Sequence, residues 1–151
     1  MHSYIRKIFC GGGNVGLLHD VDYDRYPEEH CKKCVELLQQ EEVPTEMITS
    51  IQSHGYGICC DIKPEKKMEK ILYTIDELTG LITATALMQP NKTLAEVTLS
   101  SLKKKFKSKG FAAGVNRELI TKGAKELEIP LEEIMENTLI AMQQVHESLG
   151  L

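Results

Sequence analysis

"PEKKMEKILYTIDELTGLITATALM" (residues 64–88) decides the fold class of this chain. Its apolar residues Met68, Ile71, Leu72, Ile75, Leu78, Leu81, Ile82 and Leu87 recur at three- and four-residue spacing. That is the signature of an amphipathic helix. The stripe is broad, so the spacing predicts a central helix packed on several sides. One residue breaks it. Asp76 sits between Ile75 and Leu78, one turn after Leu72. A carboxylate on or beside a buried face costs several kcal/mol unless it is paired or bound to a cation, so Asp76 needs a partner.

The flanking sequence repeats the helical pattern. "PEEHCKKCVELLQQEE" (27–42) opens on Pro and two acids, which suit a helix N-terminus, and Cys31, Cys34, Val35 and Leu38 are expected to share its inward face. "PTEMITSIQSHG" (44–55) turns Met47, Ile48 and Ile51 inward and stops at Gly55. A short lysine-bearing helix is expected near 99–107, and another over 116–129 behind an Asn116 cap. "PLEEIMENTLIAMQQVHESLG" (130–150) should present Leu131, Ile134, Met135, Thr138, Met142, Val145 and Leu149 on one side, with Gly150 as its stop. Strand signals are scarce: the chain has three Phe, five Tyr and no Trp, and no alternating run persists. The expectation is an all-α, single-domain bundle of six or seven helices over residues 1–151, with "CGGGN" (10–14) a flexible stretch inside an atypical N-terminal segment, 1–14.

Bulk composition narrows the function classes. The 151 residues carry a net charge of −4, which argues against general affinity for nucleic acid. "LKKKFKSKG" (102–110) concentrates five of the 18 basic residues and reads as a solvated helix face. No stretch approaches the ~20 apolar residues of a membrane span, and the N-terminus makes a poor signal peptide, so a cytoplasmic protein without a membrane partner is expected. Five cysteines, an odd number, argue against a disulfide framework.

Two further polar features fall at helix ends. "GLLHDVDYD" (16–24) closes an apolar run with His19 and Asp20, and His54 closes the helix of 44–55. Imidazole with carboxylates suits a divalent cation such as Mn, Fe, Zn or Mg. Adjacent helical residues point about 100° apart, so His19 and Asp20 reach one ion only near a helix end. Asp76 would then close the site from another helix. Asp22 and Asp24 read mainly as turn and cap residues.

"GLLHDVDYDRYPEEH", then "SHGYG", then "ILYTIDELTGLI" resembles the HD-domain superfamily of metal-dependent phosphohydrolases. "KKKFKSKGFAAGVNRELI" looks like the tail of a small bacterial subgroup known only as predicted HD hydrolases. The resemblance spans roughly 16–149. It matches His19–Asp20 to the family's His-Asp pair, Asp76 to its final Asp, and His30 and His54 to its extra histidines. It implies a helical domain that uses a divalent ion to hydrolyse a small phosphorylated metabolite or nucleotide. His19, Asp20 and Asp76 would be ligands; His30 and His54 would serve a second metal, phosphate binding or proton transfer. Asp20 and His54 are accordingly the expected catalytic residues.

The family's first ligand, a histidine further upstream, has His2 as its sole counterpart. Either a shortened segment brings His2 to the site or that ligand is missing, and the mobility of chain ends favours the second. Hence the alternative: a weakened or inactive binding or regulatory module on the same fold. A third reading, a thiol-based zinc or redox protein built on "CKKC" (31–34) and "CC" (59–60), has poor ligand geometry, because adjacent Cys59 and Cys60 are unlike the usual C-x-x-C pairs. Cys31 and Cys34 fit better as small inward hydrophobes. The oligomeric state is open.

Overall fold

A computed structural model describes residues 12–151. The expectations for His2 and for most of the 1–14 segment lie outside those residues. Among the described residues the fold is all-α, with eight α-helices: α1 (Gly12–Leu18), α2 (Lys33–Gln40), α3 (Thr45–Gln52), α4 (Lys67–Leu87), α5 (Leu99–Lys107), α6 (Arg117–Leu127), α7 (Leu131–Gln144) and α8 (His146–Leu149). Single 3-10 turns lie at Pro27–Glu29, Ser53–Gly55 and Leu94–Glu96. Among the described residues there is no strand, only an isolated bridge between Tyr56 and Cys60. No described helix is long and apolar enough to cross a membrane. The described residues fall into two compact units, the first ending at Tyr73 and the second spanning Thr74–Leu151.

In the first unit Val15, Cys34, Leu38, Met47, Ile48 and Ile51 make a small apolar cluster, with Met68 and Leu72 against it. The glycine stretch differs from expectation: Gly12, Gly13 and Asn14 belong to α1 rather than to a flexible segment. A Cβ on Gly12 would stand 2.6 Å from Met68 Cγ, so the missing side chain is what allows α1 this close approach. The helix expected from Pro27 also differs. A 3-10 turn comes first, Cys31 then takes a left-handed backbone (φ 63°), and α2 begins only at Lys33. Cys31 and Cys34 are both fully buried, but not as one helical face. Over 44–55 the expectation holds: Met47, Ile48 and Ile51 point inward, and the helix tightens into the Ser53–Gly55 turn.

The second unit has the larger core. Leu78, Leu81, Ile82 and Ala86 of α4 pack with Leu94, Val97, Leu102, Ile120, Ala124, Ile134, Met135 and Leu139. Side-chain caps set two of its helix starts. Thr98 and Ser101 form a reciprocal capping box on α5, and the Asn116 side chain accepts the Leu119 amide at 3.0 Å on α6. Gly123 lies so close to Thr74 that no side chain fits between them. Three apolar residues expected inside are exposed: Leu87, Val145 and Leu149. Leu87 is the last residue of α4. The other two lose the phase of α7 because the helix breaks at Val145 (φ −118°, ψ 14°) before α8. The lysine run behaves as a solvated face: Lys103 pairs with Glu132 at 2.7 Å, and Lys105 lies over the Phe111 ring.

Candidate metal centre

The chain segment after α1 carries the first site residues. The turn is held by backbone bonds from Val21 to Leu18, Tyr23 to Asp20 and Tyr26 to Asp22. It leaves Asp20 half exposed and Asp22 fully buried. His30 follows the Pro27–Glu29 turn, and His54 lies within the Ser53–Gly55 turn. These three short turns bring His19, Asp20, His30 and His54 together, although the first and last are 35 positions apart in the sequence.

Each histidine has its Nδ1 committed to an acceptor. His19 Nδ1 lies 2.7 Å from the Gly16 carbonyl, and His54 Nδ1 lies 2.5 Å from that of Ile51. His30 Nδ1 lies 2.7 Å from Asp22 Oδ1. A carbonyl or a carboxylate can only accept, so every Nδ1 carries its proton. In the neutral rings each Nε2 is then a bare lone pair. All three Nε2 atoms face Asp20: His19 Nε2 is 3.2 Å from Oδ2, while His30 Nε2 and His54 Nε2 are each 3.6 Å from Oδ1. His30 Nε2 and His54 Nε2 lie 3.2 Å from each other. Imidazole nitrogens gathered around one carboxylate in this way are a donor set suited to a divalent cation.

Electrostatics agree. Contact with His19 and then His54 holds the Asp20 carboxyl well below the usual carboxylate range, outweighing the opposite pull of its partial burial. The carboxylate is therefore ionised and available as a ligand. Asp22 orients the site from behind. One of its oxygens fixes His30, and the other accepts the Cys34 amide at 2.8 Å in the first turn of α2. A carboxylate behind a ligating imidazole is the usual arrangement at metal centres. The Tyr23 ring packs edge-on against His30.

Two thiols lie beside the imidazoles. Cys31 Sγ is 3.9 Å from His54 Nε2, and His30, Cys31 and His54 offer ligand atoms within 4.8 Å of one another. Cys59 Sγ is 2.7 Å from Cys31 Sγ. The four described cysteines are free thiols. Burial pushes the Cys34 thiol up to about 12, aided by the Asp22 carboxylate, and burial first and Cys59 second push Cys31 higher still.

Of the residues nominated from sequence, four meet within the first unit. Asp76 belongs to the second unit, half-buried on α4, where its backbone carbonyl accepts the Thr79 hydroxyl at 2.7 Å. His2 falls outside the described residues. Sequence reasoning missed what Asp22 does beyond capping. Its pairing with a histidine eight residues on follows from no helical or strand period. Comparison of the chain with family models, curated proteins and solved structures returned no match.

Proposed function

We propose that His19, Asp20, His30 and His54 hold a divalent cation, and that the protein is a metal-dependent phosphohydrolase of the HD type, acting on a small phosphorylated metabolite or nucleotide. The observation that carries the metal reading is the convergence of three Nε2 atoms on Asp20, each ring locked by its Nδ1 partner. The donor set fits: three imidazole nitrogens and one carboxylate suit Mn, Fe or Zn better than Mg, which favours oxygen ligands. The hydrolytic reading rests on the HD resemblance together with this donor set.

When bound, such a cation supplies Lewis-acid polarisation of a phosphoryl oxygen and activation of water near neutral pH. The chain's own residues do the rest. Asp20 contributes the anionic ligand and, being half exposed, marks the side from which a phosphate reaches the site. His54 and His30 hold fixed positions because Ile51 and Asp22 anchor them. Tyr23, 53% exposed, offers an aromatic face beside His30 for an apolar or planar part of the substrate.

The test is metal content and turnover of the purified chain with Mn, Fe and Zn, against a panel of phosphomonoesters, phosphodiesters and nucleotides. One retained ion per chain and metal-dependent release of phosphate are expected. His54→Ala should weaken metal binding at least 100-fold and abolish turnover while helicity by circular dichroism is kept. Asp76→Ala, measured alongside, tests the further ligand that the resemblance implies. Absence of retained metal in the wild type would overturn the proposal in favour of a binding module.

A further inference from the structure

The thiol pair beside the imidazoles has no part in that chemistry, yet it is built closely. Cys31 is fully buried, and Cys59 is half-buried, four residues after Gly55 on a turn closed by the Cys59 and Cys60 amides on the Gly55 carbonyl. At 2.7 Å the two sulfurs lie well inside the separation of unbonded sulfur atoms. Both press on the Cα of Gly55, where an added Cβ would collide with Cys31 Sγ and Cys59 Sγ together. Position 55 therefore has to be glycine for the sulfurs to meet. The other two thiols are placed differently: Cys60 Sγ is 2.9 Å from the Gln52 carbonyl, and Cys34 is buried in the apolar cluster.

We propose that Cys31 and Cys59 are a site of reversible oxidation, at which a hydroperoxide joins the two thiols in a disulfide that ties the segment carrying His30 to the turn following His54. Cys59, the more accessible thiol, reacts first as its thiolate. Its sulfur attacks the terminal peroxide oxygen; an S–O bond forms, the O–O bond breaks, and the alcohol or water leaves with the proton that Cys59 gave up. The sulfenic acid then faces Cys31. The Cys31 sulfur displaces hydroxide, which departs as water with the Cys31 proton, and the S–S bond forms. Each sulfur is oxidised by one electron, and the peroxide is reduced by two. A dithiol restores both thiols by exchange.

The bridge joins the residue after His30 to a turn that begins at Gly55, the residue after His54. Oxidation therefore fixes covalently the two backbone segments that position those imidazoles. Any effect on metal retention rests on the metal reading above; formation of the disulfide does not.

The experiment treats the full chain, reduced and then freed of reductant, with a stoichiometric amount of hydrogen peroxide, followed by peptide mapping under non-reducing conditions. A loss of two hydrogens, a Cys31–Cys59 cross-linked peptide and full reversal by dithiothreitol are expected, with no cross-link in Cys59→Ser or Cys31→Ala. Linkage through Cys34 or Cys60, or conversion of Cys59 to sulfinic acid with Cys31 untouched, overturns the proposal. Cys59→Ser replaces a half-exposed thiol, so it keeps the comparison valid should the buried Cys31→Ala fail to fold. In the second arm, chelator-triggered release of Zn2+ should slow at least threefold in the oxidised protein; an unchanged rate overturns the link to the imidazoles. Failure of Zn2+ to bind in either state strikes the metal reading and leaves the peptide map to decide the disulfide.

Discussion

The two compact units bury polar groups in opposite ways. In the second, the buried polar residues are threonines. Two of them, Thr85 and Thr138, give their hydroxyls to carbonyls four residues back in their own helices, those of Leu81 and Ile134. In the first unit the buried polar residues include Asp22, Ser50, His54 and Glu69. Asp22 reaches His30 and Cys34, Ser50 reaches Glu69, and His54 faces Asp20, across 8 to 34 positions of sequence. The second unit satisfies these two buried hydroxyls within single helices and leaves the rest of its buried interior to apolar packing. The other uses its interior to aim polar atoms at one another. A helical unit needs nothing of the second kind to be stable, so the first unit is where chemistry is expected.

The comparison breaks first at the largest expected effect. Leu81, with no exposed surface, sits in the apolar core of the second unit. Leu81→Ala should cost about 2–5 kcal/mol in denaturant unfolding, from lost burial and the cavity left behind. Metal affinity, measured under conditions where the variant remains folded, should not change. A matching loss of metal binding in the folded variant would show that the division of labour between the units is false.

The next effect belongs to the first unit and should show the reverse pattern. In Asp22→Asn the amide can still accept from Cys34, but its NH2 then faces His30 Nδ1. That inverts the imidazole, moving a proton onto Nε2, where the lone pair is needed. Metal affinity should fall about 10–100-fold, as is typical when the group behind a ligating histidine is lost. The ring nitrogen of His30 that carries the proton, read by NMR, should change from Nδ1 to Nε2 with it. Unchanged affinity would reduce Asp22 to the cap it was expected to be.

That contrast also explains what the sequence revealed. Periodicity found α3, α4, α5, α6 and α7, because each buries an apolar stripe, and the caps of α5 and α6 (Thr98, Asn116) lie within a turn of the residues they serve. It misplaced the start of α2, because the chain first makes a 3-10 turn and a left-handed residue at Cys31. No local propensity announces that turn; Asp22, twelve residues away, supplies the acceptor for the first turn of α2. The site was legible in its ingredients, His19, Asp20, His30 and His54. The tautomers that aim three nitrogens at Asp20 were not, since they depend on carbonyls of Gly16 and Ile51 and on buried Asp22. The Cys31–Cys59 approach was hidden too. It requires a glycine at 55 that sequence marked only as a helix stop.

The smallest effect tests whether the first unit's long-range polar contacts also stabilise it. Burial alone would raise the pKa of Glu69. The Ser50 hydroxyl at 2.5 Å, the Lys66 and Glu65 amides and the Lys66 charge outweigh that and hold it below the usual carboxylate range. A carboxyl depressed in the folded state contributes stability that is fully present above its unfolded pKa, about 4.3 for Glu. That stability is lost as the pH falls through the lower, folded value. Ser50→Ala removes one charge-assisted bond and leaves the two amides in place. It should cost about 1.5 kcal/mol at pH 7, the low end for such bonds, and less as the pH falls below 4, where protonation of Glu69 weakens the contact in the wild type as well. Glu69→Gln should flatten the same part of the pH–stability curve. A Ser50→Ala cost that stayed constant between pH 7 and pH 3 would mean that Ser50 acts through packing or through its other bond, to the Glu46 carbonyl at 3.1 Å. The first unit's buried polar contacts would then differ from the second's only in reach, not in the charge they hold in place.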